Sequence, residues 1–226
     1  MKVLHLISGG DTGGAKTHVI NLLEELNKRI HVKVICFIKA EFYYESKEKG
    51  IPIEVYEQKK RYDLSIIKRL IEEIRNEKYD LIHTHGARAN FITYVVKKFC
   101  DIPVVTTIHS DYKLDFKGNF YKNLVYKNLN YLSLKHMDYY IGVSESFREM
   151  LIARNFDPDR IMTVYNGINI EEIESKEIDE DFFKKYGINL DDNIVKVGIL
   201  ARLHPVKGVN LFIKAAHKVL QEKQDV

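Results

Sequence analysis

Apolar and polar positions follow two alternating patterns along the chain. Short apolar runs rich in valine, isoleucine and leucine, such as Lys2 to Ile7, Val32 to Ile38 and Pro103 to Ile108, are typical of buried strands. Between them, segments such as Ala15 to Lys28 and Leu64 to Lys78 place apolar residues three and four positions apart, which predicts amphipathic helices. This order predicts a parallel α/β sheet with helices on both faces, a Rossmann-like fold.

The same patterns continue to about residue 170. Further strands are predicted near Ile53 to Tyr56 and at Asp80 to Thr84, Tyr139 to Val143 and Ile161 to Tyr165, with helices at Ala87 to Phe99, about Asn119 to His136 and Glu145 to Arg154. The composition then changes to a charged stretch with little core material. We therefore expect an N-terminal Rossmann-like domain over 1–170, a linker over 171–190 with a short helix at 181–186, and a second unit over 191–226.

The second unit is predicted to begin with a buried strand at Ile194 to Leu200 and a helix at Val209 to Gln221. Between them lies a turn with Arg202 and Lys207 five residues apart. Two cations beside the start of a helix are suited to a diphosphate. One strand and one helix cannot bury both of their faces, so we expect an incomplete unit whose apolar surface would be covered by a second chain, as in a dimer, or by the first domain.

Composition narrows the class of protein. With 45% hydrophobic residues the chain can form a full core, and a net charge of +3 from 35 basic and 32 acidic residues does not indicate nucleic acid as a partner. Cys36 and Cys100 lie far apart, which indicates free core thiols in a reducing compartment. No apolar run approaches the roughly 20 residues that span a bilayer. We expect a cytoplasmic protein.

A glycine-rich turn, Ser8 to Ala15, follows the first strand. It lacks the Gly-x-Gly-x-x-Gly spacing and the acidic residue of a dinucleotide site. It comes close to a P-loop, but Ala15 stands where the second glycine belongs and no strand ends in a Walker-B aspartate. A plain strand-to-helix turn and an anion-binding turn at a helix start remain open, as does a P-loop nucleotidase, which Mg²⁺-dependent hydrolysis of ATP or GTP would reveal.

Histidines mark the ends of two predicted strands. His83 and His85 are two positions apart and therefore face the same side of the sheet, and His109 follows the next strand. Because ligands of open α/β sheets bind at the carboxyl ends of strands, these side chains are expected to line a cleft. No third ligand is evident for a metal, so none is expected. By position alone, a hydrogen-bonded structural role for His109 is the simpler interpretation.

Aromatic and lysine residues alternate from Tyr112 to Lys122 and again at Tyr126, Lys127, Tyr131 and Lys135. Such a surface suits an anionic membrane or a lipid-linked substrate, and would give peripheral contact with the inner face of a membrane. An amphipathic helix with its aromatics packed inward and its lysines in solvent is the plainer alternative.

Taken together, these stretches resemble the retaining nucleotide-sugar glycosyltransferases of the group 1 family (family 4), which have the GT-B fold of two Rossmann-like domains. The similar pieces occur in the family's order: Gly13 to Val19, Asp80 to His85, Thr107 to His109, Gly142 to Ser144, Val164 to Ile168 and Ala201 to Gly208. Each piece is weak by itself, whereas the ordered set is specific.

The resemblance implies a role for each candidate residue. Arg202 and Lys207 would grip the donor diphosphate, Gly13 and Gly14 would meet it from across the cleft, and His109 would lie beside the reacting sugar in the catalytic role. Acceptor-side contacts are expected from Lys16, His85, Asp111 and Tyr112. Catalysis would be electrostatic, without a bound metal or other cofactor.

The chain departs from the family pattern near its end. Family members carry two glutamates seven residues apart deeper in the second domain, and this sequence stops before that point. We therefore expect an N-terminal domain plus the first β-α unit of the donor-binding domain, inactive by itself. The parent would transfer a sugar with retention from a nucleotide-sugar to a glycan or lipid-linked acceptor in cell-envelope or polysaccharide biosynthesis. The alternative is a non-catalytic nucleotide- or acceptor-binding half that needs a partner chain.

Overall fold

The computed structural model describes residues 1–10, 13–58, 63, 65–111, 120–167, 180–187, 195, 197–201, 203 and 207–222, with the side chains of 120–127, 180 and 182 left aside. Contacts within the chain divide it into two compact units, Met1–Asn169 and Ile170–Val226. The roles expected for the two units remain predictions.

The first unit is built on one parallel sheet. Its strands are β1 (Lys2–Ile7), β2 (His31–Cys36), β3 (Ile53–Val55), β4 (Leu81–His85), β5 (Val104–Ile108), β6 (Tyr139–Gly142) and β7 (Ile161–Thr163), in the order β3-β2-β1-β4-β5-β6-β7. Every neighbouring pair is parallel. The predicted Rossmann-like α/β fold is thus confirmed, and the strand order places β1 and β4 at its centre.

Helices connect the strands. They are α1 (Gly14–Asn27), α2 (Glu41–Glu48), α3 (Ser65–Glu77), α4 (Ala87–Val96), α5 (Phe120–Lys135) and α6 (Glu145–Ile152), followed by a 3₁₀ turn at Pro158–Arg160. Helix α2 was not predicted, because Phe42 and Ser46 are its only buried residues and its apolar pattern is therefore too short to show a helical period.

Two hydrophobic cores lie on opposite faces of the sheet. On one face, Ile7 of β1 and Val34 and Cys36 of β2 pack with Val19 and Leu23 of α1. The core on the other face is larger. It includes residues from β1, β4, β5, α3, α4 and α6, namely Leu4, Leu6, Leu70, Ile74, Ile82, Ala89, Ile92, Val104, Ile108 and Leu151. Cys36 and Cys100 are both buried and free, as predicted.

The second unit contains α7 (Glu180–Lys185) and α8 (Val209–Glu222). The strand predicted at 194–200 is not formed at Val195 or at 197–200, and these residues are exposed. A parallel strand exists only beside another strand, and the residues described at 195 and 197–200 have no ladder partner. On α8, the apolar side chains of Leu211, Ile213 and Leu220 are exposed. No described helix is long and apolar enough to cross a membrane.

Candidate functional site

Four polar side chains lie side by side on one face of the central strands. Parallel register pairs His5 of β1 with His83 of β4, and His85 of β4 with Thr107 of β5. Because side chains two residues apart share a face, His83 and His85 point the same way, as the sequence predicted. All four are buried, with His5 0% and His85 2% exposed. These four side chains lie on one face of the sheet, close to the carboxyl ends of its strands.

Three of the imidazoles form a chain. His5 Nδ1 lies 3.2 Å from His85 Nε2, and His85 Nδ1 lies 3.5 Å from His109 Nε2. The ring planes of His5 and His85 are within 8° of each other, with centroids 5.6 Å apart. Because the centroids lie farther apart than the bonded nitrogens, the rings meet edge to edge. His85 therefore uses both of its nitrogens for neighbouring imidazoles. We call His5, His85 and His109 the imidazole relay.

His83 lies beside the relay with a different partner. Its Nε2 is 2.7 Å from Thr107 Oγ1, and its ring centroid is 4.3 Å from that of His85. His18, in the second turn of α1, meets His109 edge to face at 5.3 Å. This contact brings the start of α1 beside the end of β5.

All five histidines are neutral near pH 7. Burial lowers the pKa of His5 to about 3. Burial also lowers the pKa of His109 to about 4, with His18 adding to the effect. The pKa values of His83 and His85 lie well below 6.5 because both are buried beside other imidazoles, and burial lowers the pKa of His18 as well. A neutral imidazole has one N–H donor and one acceptor nitrogen.

His5 and His18 were missed by sequence analysis. His5 is the only polar residue between Val3 and Ile7, which is the one sign that the sequence offers. Its identification corrects the expectation that His83 and His85 lack a third metal ligand, because one nitrogen of each of His5, His83 and His85 lies within 4.8 Å of the others.

A metal site needs lone pairs that converge on a point about 2 Å from each nitrogen. Here the facing nitrogens of His5 and His85 lie along the line between their rings, and His83 Nε2 faces Thr107. The described geometry therefore fits hydrogen bonds better than a tris-imidazole metal site.

The glycine turn leads into α1. Gly13 is the residue before the helix and has φ 75°, in the left-handed region that favours glycine. At Gly9, a Cβ would lie 2.5 Å from the Ile38 carbonyl oxygen, so the turn is pressed against the end of β2. No acidic side chain lies in the first turn of α1, which starts at Gly14. Its backbone N–H groups are therefore suited to an anion.

Two of the predicted acceptor-side residues already have partners inside the first unit. The Lys16 ammonium lies 2.7 Å from Glu45 and 3.1 Å from Glu41, both on α2, and hydrogen bonds to these carboxylates, Glu45 first, raise the pKa of Lys16. Asp111 accepts two hydrogen bonds of 2.7 Å from the Arg154 guanidinium. Both charges are thus compensated within the protein.

The remaining predicted residues divide between the second unit and the undescribed positions. Lys207 is exposed just before α8. Arg202 and Tyr112 lie outside the described residues. In the aromatic and lysine-rich segment from Tyr112 to Lys127, residues 112–119 also lie outside them and the side chains of 120–127 are left aside. The structure therefore brings His85, His109 and the Gly13–Gly14 turn to one edge of the first unit.

The opposite face of β4 and β5 carries a second buried polar cluster. Thr84 Oγ1 donates to Asn90 Oδ1 at 2.6 Å, and Thr106 Oγ1 donates to the same oxygen at 2.9 Å. Thr84 Oγ1 also lies 3.4 Å from the Val105 carbonyl oxygen. We call Thr84, Thr106 and Asn90 the threonine–asparagine cluster.

Comparison with known proteins adds sequence relatives. Over 151 residues the chain is 30% identical to an uncharacterized glycosyltransferase of Methanocaldococcus jannaschii, covering 64% of this chain and 38% of the relative. Over 162 residues it is 25% identical to the UDP-Gal:alpha-D-GlcNAc-diphosphoundecaprenol alpha-1,3-galactosyltransferase of Escherichia coli, covering 70% of this chain and 41% of the relative. The chain thus spans about two fifths of the length of these relatives.

Solved structures show the same fold. Anabaena Alr3699/HepE, crystallised in complex with UDP-glucose, is similar with a TM-score of 0.76 at 22% identity, over 96% of this chain and 57% of that one. Residues 12–172 match the family described as Glycosyltransferase Family 4. That match spans most of the first unit. It includes the glycine turn from Gly13, the buried residues His83, His85 and Thr107, and His109. The chain belongs to Glycosyltransferase Family 4.

Proposed function

We propose that this chain is part of an enzyme that transfers a sugar, with retention, from a nucleotide-sugar to a lipid-linked or glycan acceptor. Membership in Glycosyltransferase Family 4 supports the transferase class. The relative from Escherichia coli is named for a UDP-galactose donor and a diphosphoundecaprenol acceptor, and HepE was crystallised with UDP-glucose. A uridine diphosphate sugar is therefore the first donor to test.

The observation that carries the proposal is the meeting of His109 with the start of α1. The ring contact between His18 and His109 lies one helical turn from Gly14, so a polar strand end and a glycine turn suited to an anion share one edge of the sheet. A phosphate held by the first N–H groups of α1 would have His109 beside it. Such an arrangement would suit the diphosphate of a nucleotide-sugar.

The chemistry would be electrostatic. As the glycosidic bond loosens, negative charge develops on the leaving diphosphate, and preorganised donors stabilise that charge most strongly. His109 is neutral, because burial lowers its pKa to about 4. It would therefore act as a hydrogen-bonding group, while Arg202 and Lys207 would supply the positive charge.

The acceptor would bind on the first unit, near Lys16, His85, Asp111 and Tyr112. Because Glu41 and Glu45 hold Lys16, and Arg154 holds Asp111, neither supplies an uncompensated charge. His85 is buried within the relay. These residues would shape the acceptor side of the site, and direct contacts would come from groups nearer the surface.

Transfer assays with a uridine diphosphate sugar as donor test the donor assignment. Arg202→Ala and Lys207→Ala should each lower kcat/KM through the loss of about 2–4 kcal/mol of transition-state stabilisation. Lys214→Ala is the matched control, since Lys214 is an exposed lysine on α8. Anomeric analysis of the product tests retention. Normal turnover in both the Arg202 and Lys207 variants would refute the donor assignment, and binding without any transfer would favour the non-catalytic alternative.

His109→Ala separates a catalytic role from a structural one. Transfer should fall strongly, while the melting temperature should change by only a few degrees because His109 lies at the end of β5 and is partly exposed. If unfolding is the main effect and the folded fraction transfers normally, His109 is structural.

A further inference from the structure

We propose that the imidazole relay fixes the tautomer of His109, with buried His5 as the positioning residue that sets its direction. The use of that tautomer in sugar transfer rests on the proposed function. The tautomer itself is a property of the first unit and can be measured without any activity.

The rings of the relay are arranged for hydrogen bonds between their nitrogens. The His5–His85 and His85–His109 contacts both join ring nitrogens, at 3.2 and 3.5 Å. In the first contact the rings are nearly parallel, and in both the centroids lie farther apart than the nitrogens, at 5.6 and 5.8 Å. The N–H bonds and lone pairs of imidazoles lie in the ring planes, so edge-to-edge rings are placed for N–H···N hydrogen bonds.

The hydrogen bonds of the relay must all run in one direction. Neutral His85 carries one proton, so one of its nitrogens donates and the other accepts. If His85 Nε2 accepts from His5, then His85 Nδ1 donates to His109 Nε2. If His85 Nε2 donates to His5, then His109 Nε2 must donate to His85. The proton position on His109 is therefore coupled to that on His5, two hydrogen bonds away.

The second nitrogen of His5 sets the direction of the relay. His5 Nε2 is buried and has no hydrogen-bond partner among the described residues. When His5 donates through Nδ1, Nε2 is a bare lone pair. In the opposite direction, Nε2 would carry a buried N–H without an acceptor. Among backbone groups an orphaned buried N–H is rarer than an acceptor without a donor, and we extend that preference to this imidazole. The relay therefore runs from His5 through His85 to His109.

The consequence lies at His109. Its Nε2 accepts from His85, so its proton lies on Nδ1, the ring nitrogen that the relay does not use. In this tautomer Nδ1–H is a donor, which suits an oxygen that gains negative charge. The opposite direction would leave a bare nitrogen at this position, which would repel such an oxygen. His5 would thus decide which of the two His109 presents.

Imidazole nitrogen NMR on the 226-residue chain tests the proposal. In the wild type we expect His109 as the Nδ1–H form and a measurable 15N–15N coupling across the His5–His85 hydrogen bond. His5→Leu removes the donor, so His109 should become a mixture of both tautomers. His5→Asn, which keeps an N–H near the position of Nδ1, should restore the Nδ1–H form.

His83→Leu is the matched control, because His83 is a buried histidine paired with His5 in the sheet but bonded to Thr107. It should leave the His109 tautomer unchanged. An Nε2–H form of His109 in the wild type, or the same tautomer in wild type and His5→Leu, would overturn the relay. If His5→Leu does not fold, absence of the 15N–15N coupling in the wild type would overturn it. Stoichiometric Zn²⁺ binding lost in His83→Leu would also overturn it, in favour of a metal site.

Transfer assays distinguish this inference from the proposed function. If His5→Leu shifts the His109 tautomer but His109→Ala transfers normally, the relay stands and the role of His109 in transfer fails. If His109→Ala abolishes transfer but the His109 tautomer is the same in wild type and His5→Leu, the proposed function stands and the relay fails. If both proposals are right, His5→Leu should lower kcat and His5→Asn should restore it.

Discussion

The two faces of β4 and β5 carry buried polar clusters of different chemistry. On one face, the threonine–asparagine cluster joins two hydroxyls to one amide oxygen at 2.6 and 2.9 Å. On the other, three imidazoles and one hydroxyl from β1, β4 and β5 form contacts with one another and with the imidazole of His109, which follows β5. Thr84 and Thr106 alternate along β4 and β5 with His83, His85 and Thr107, and all five of these residues are buried.

The difference lies in what each cluster can change. Hydroxyls and amides do not titrate between pH 4 and 9, so the threonine–asparagine cluster has one protonation state and holds α4 against the sheet. A neutral imidazole has two tautomers, so its donor and acceptor nitrogens can exchange places. His5 Nε2 also has no partner among the described residues, so that face is less completely satisfied. The same strands thus have a fixed face and a changeable one.

Acid should distinguish the faces most strongly. Unfolded histidines bind protons near pH 6.5, whereas folded His5 and His109 have pKa values of about 3 and 4. The unfolded state therefore binds more protons between these limits, and stability falls as the pH drops below about 6.5. At pH values well below 6.5 and above the folded pKa, each such histidine contributes about 1.4 kcal/mol per pH unit, and about half of that near pH 6.5. Urea unfolding at pH 7, 6 and 5 measures the slope, and His5→Leu should make it shallower. An equal slope in both proteins would contradict the burial of a neutral His5.

Asn90→Ala should break the fixed face. It removes the shared acceptor of Thr84 and Thr106, and we expect a loss of about 2–3 kcal/mol in the free energy of unfolding. The loss should be the same at pH 7 and pH 5, measured by urea unfolding. Asn130→Ala is the control, since Asn130 is also buried but its Oδ1 has no partner among the described residues. An equal loss in both variants would mean that the hydrogen bonds of Asn90 add nothing.

A pair of Thr→Val substitutions compares the faces at the smallest scale. Thr84→Val removes one of two hydroxyls on Asn90, and we expect a loss of about 1 kcal/mol. Thr107→Val leaves His83 Nε2 without its 2.7 Å partner, and should cost about 1–2 kcal/mol at pH 7. Thermal and urea unfolding measure both. No measurable cost for Thr107→Val would show that His83 does not depend on Thr107.

Local sequence pattern predicted much of the fold but only part of the site. The apolar runs of β1, β2, β4 and β5 are strong enough to identify a parallel sheet, and period two placed His83 and His85 on one face. Helix α2 was missed because only Phe42 and Ser46 are buried on it. The strand expected at 194–200 was wrong for the described residues, because strand formation depends on a neighbour as well as on composition.

Contacts between distant elements could not be predicted. His5 joins the site only because β1 pairs with β4 in the register that sets His5 beside His83. The partners of Lys16 come from the unpredicted α2, and that of Asp111 is Arg154, 43 residues away. In each case the residue was visible in the sequence, whereas its partner depended on the arrangement of the sheet.

The imidazole relay also bears on the order of folding. Its two hydrogen bonds join residues of unequal separation: His85 and His109 are 24 residues apart, whereas His5 and His85 are 80 apart. Closing a longer loop costs more chain entropy and tends to come later in folding. The bond from His85 to His109 could therefore form while β1 is still unpaired, and the bond from His5 would report the docking of β1 at the centre of the sheet. The imidazole nitrogen NMR signals of His109 and His5 would then report the order in which the strands of this parallel sheet assemble.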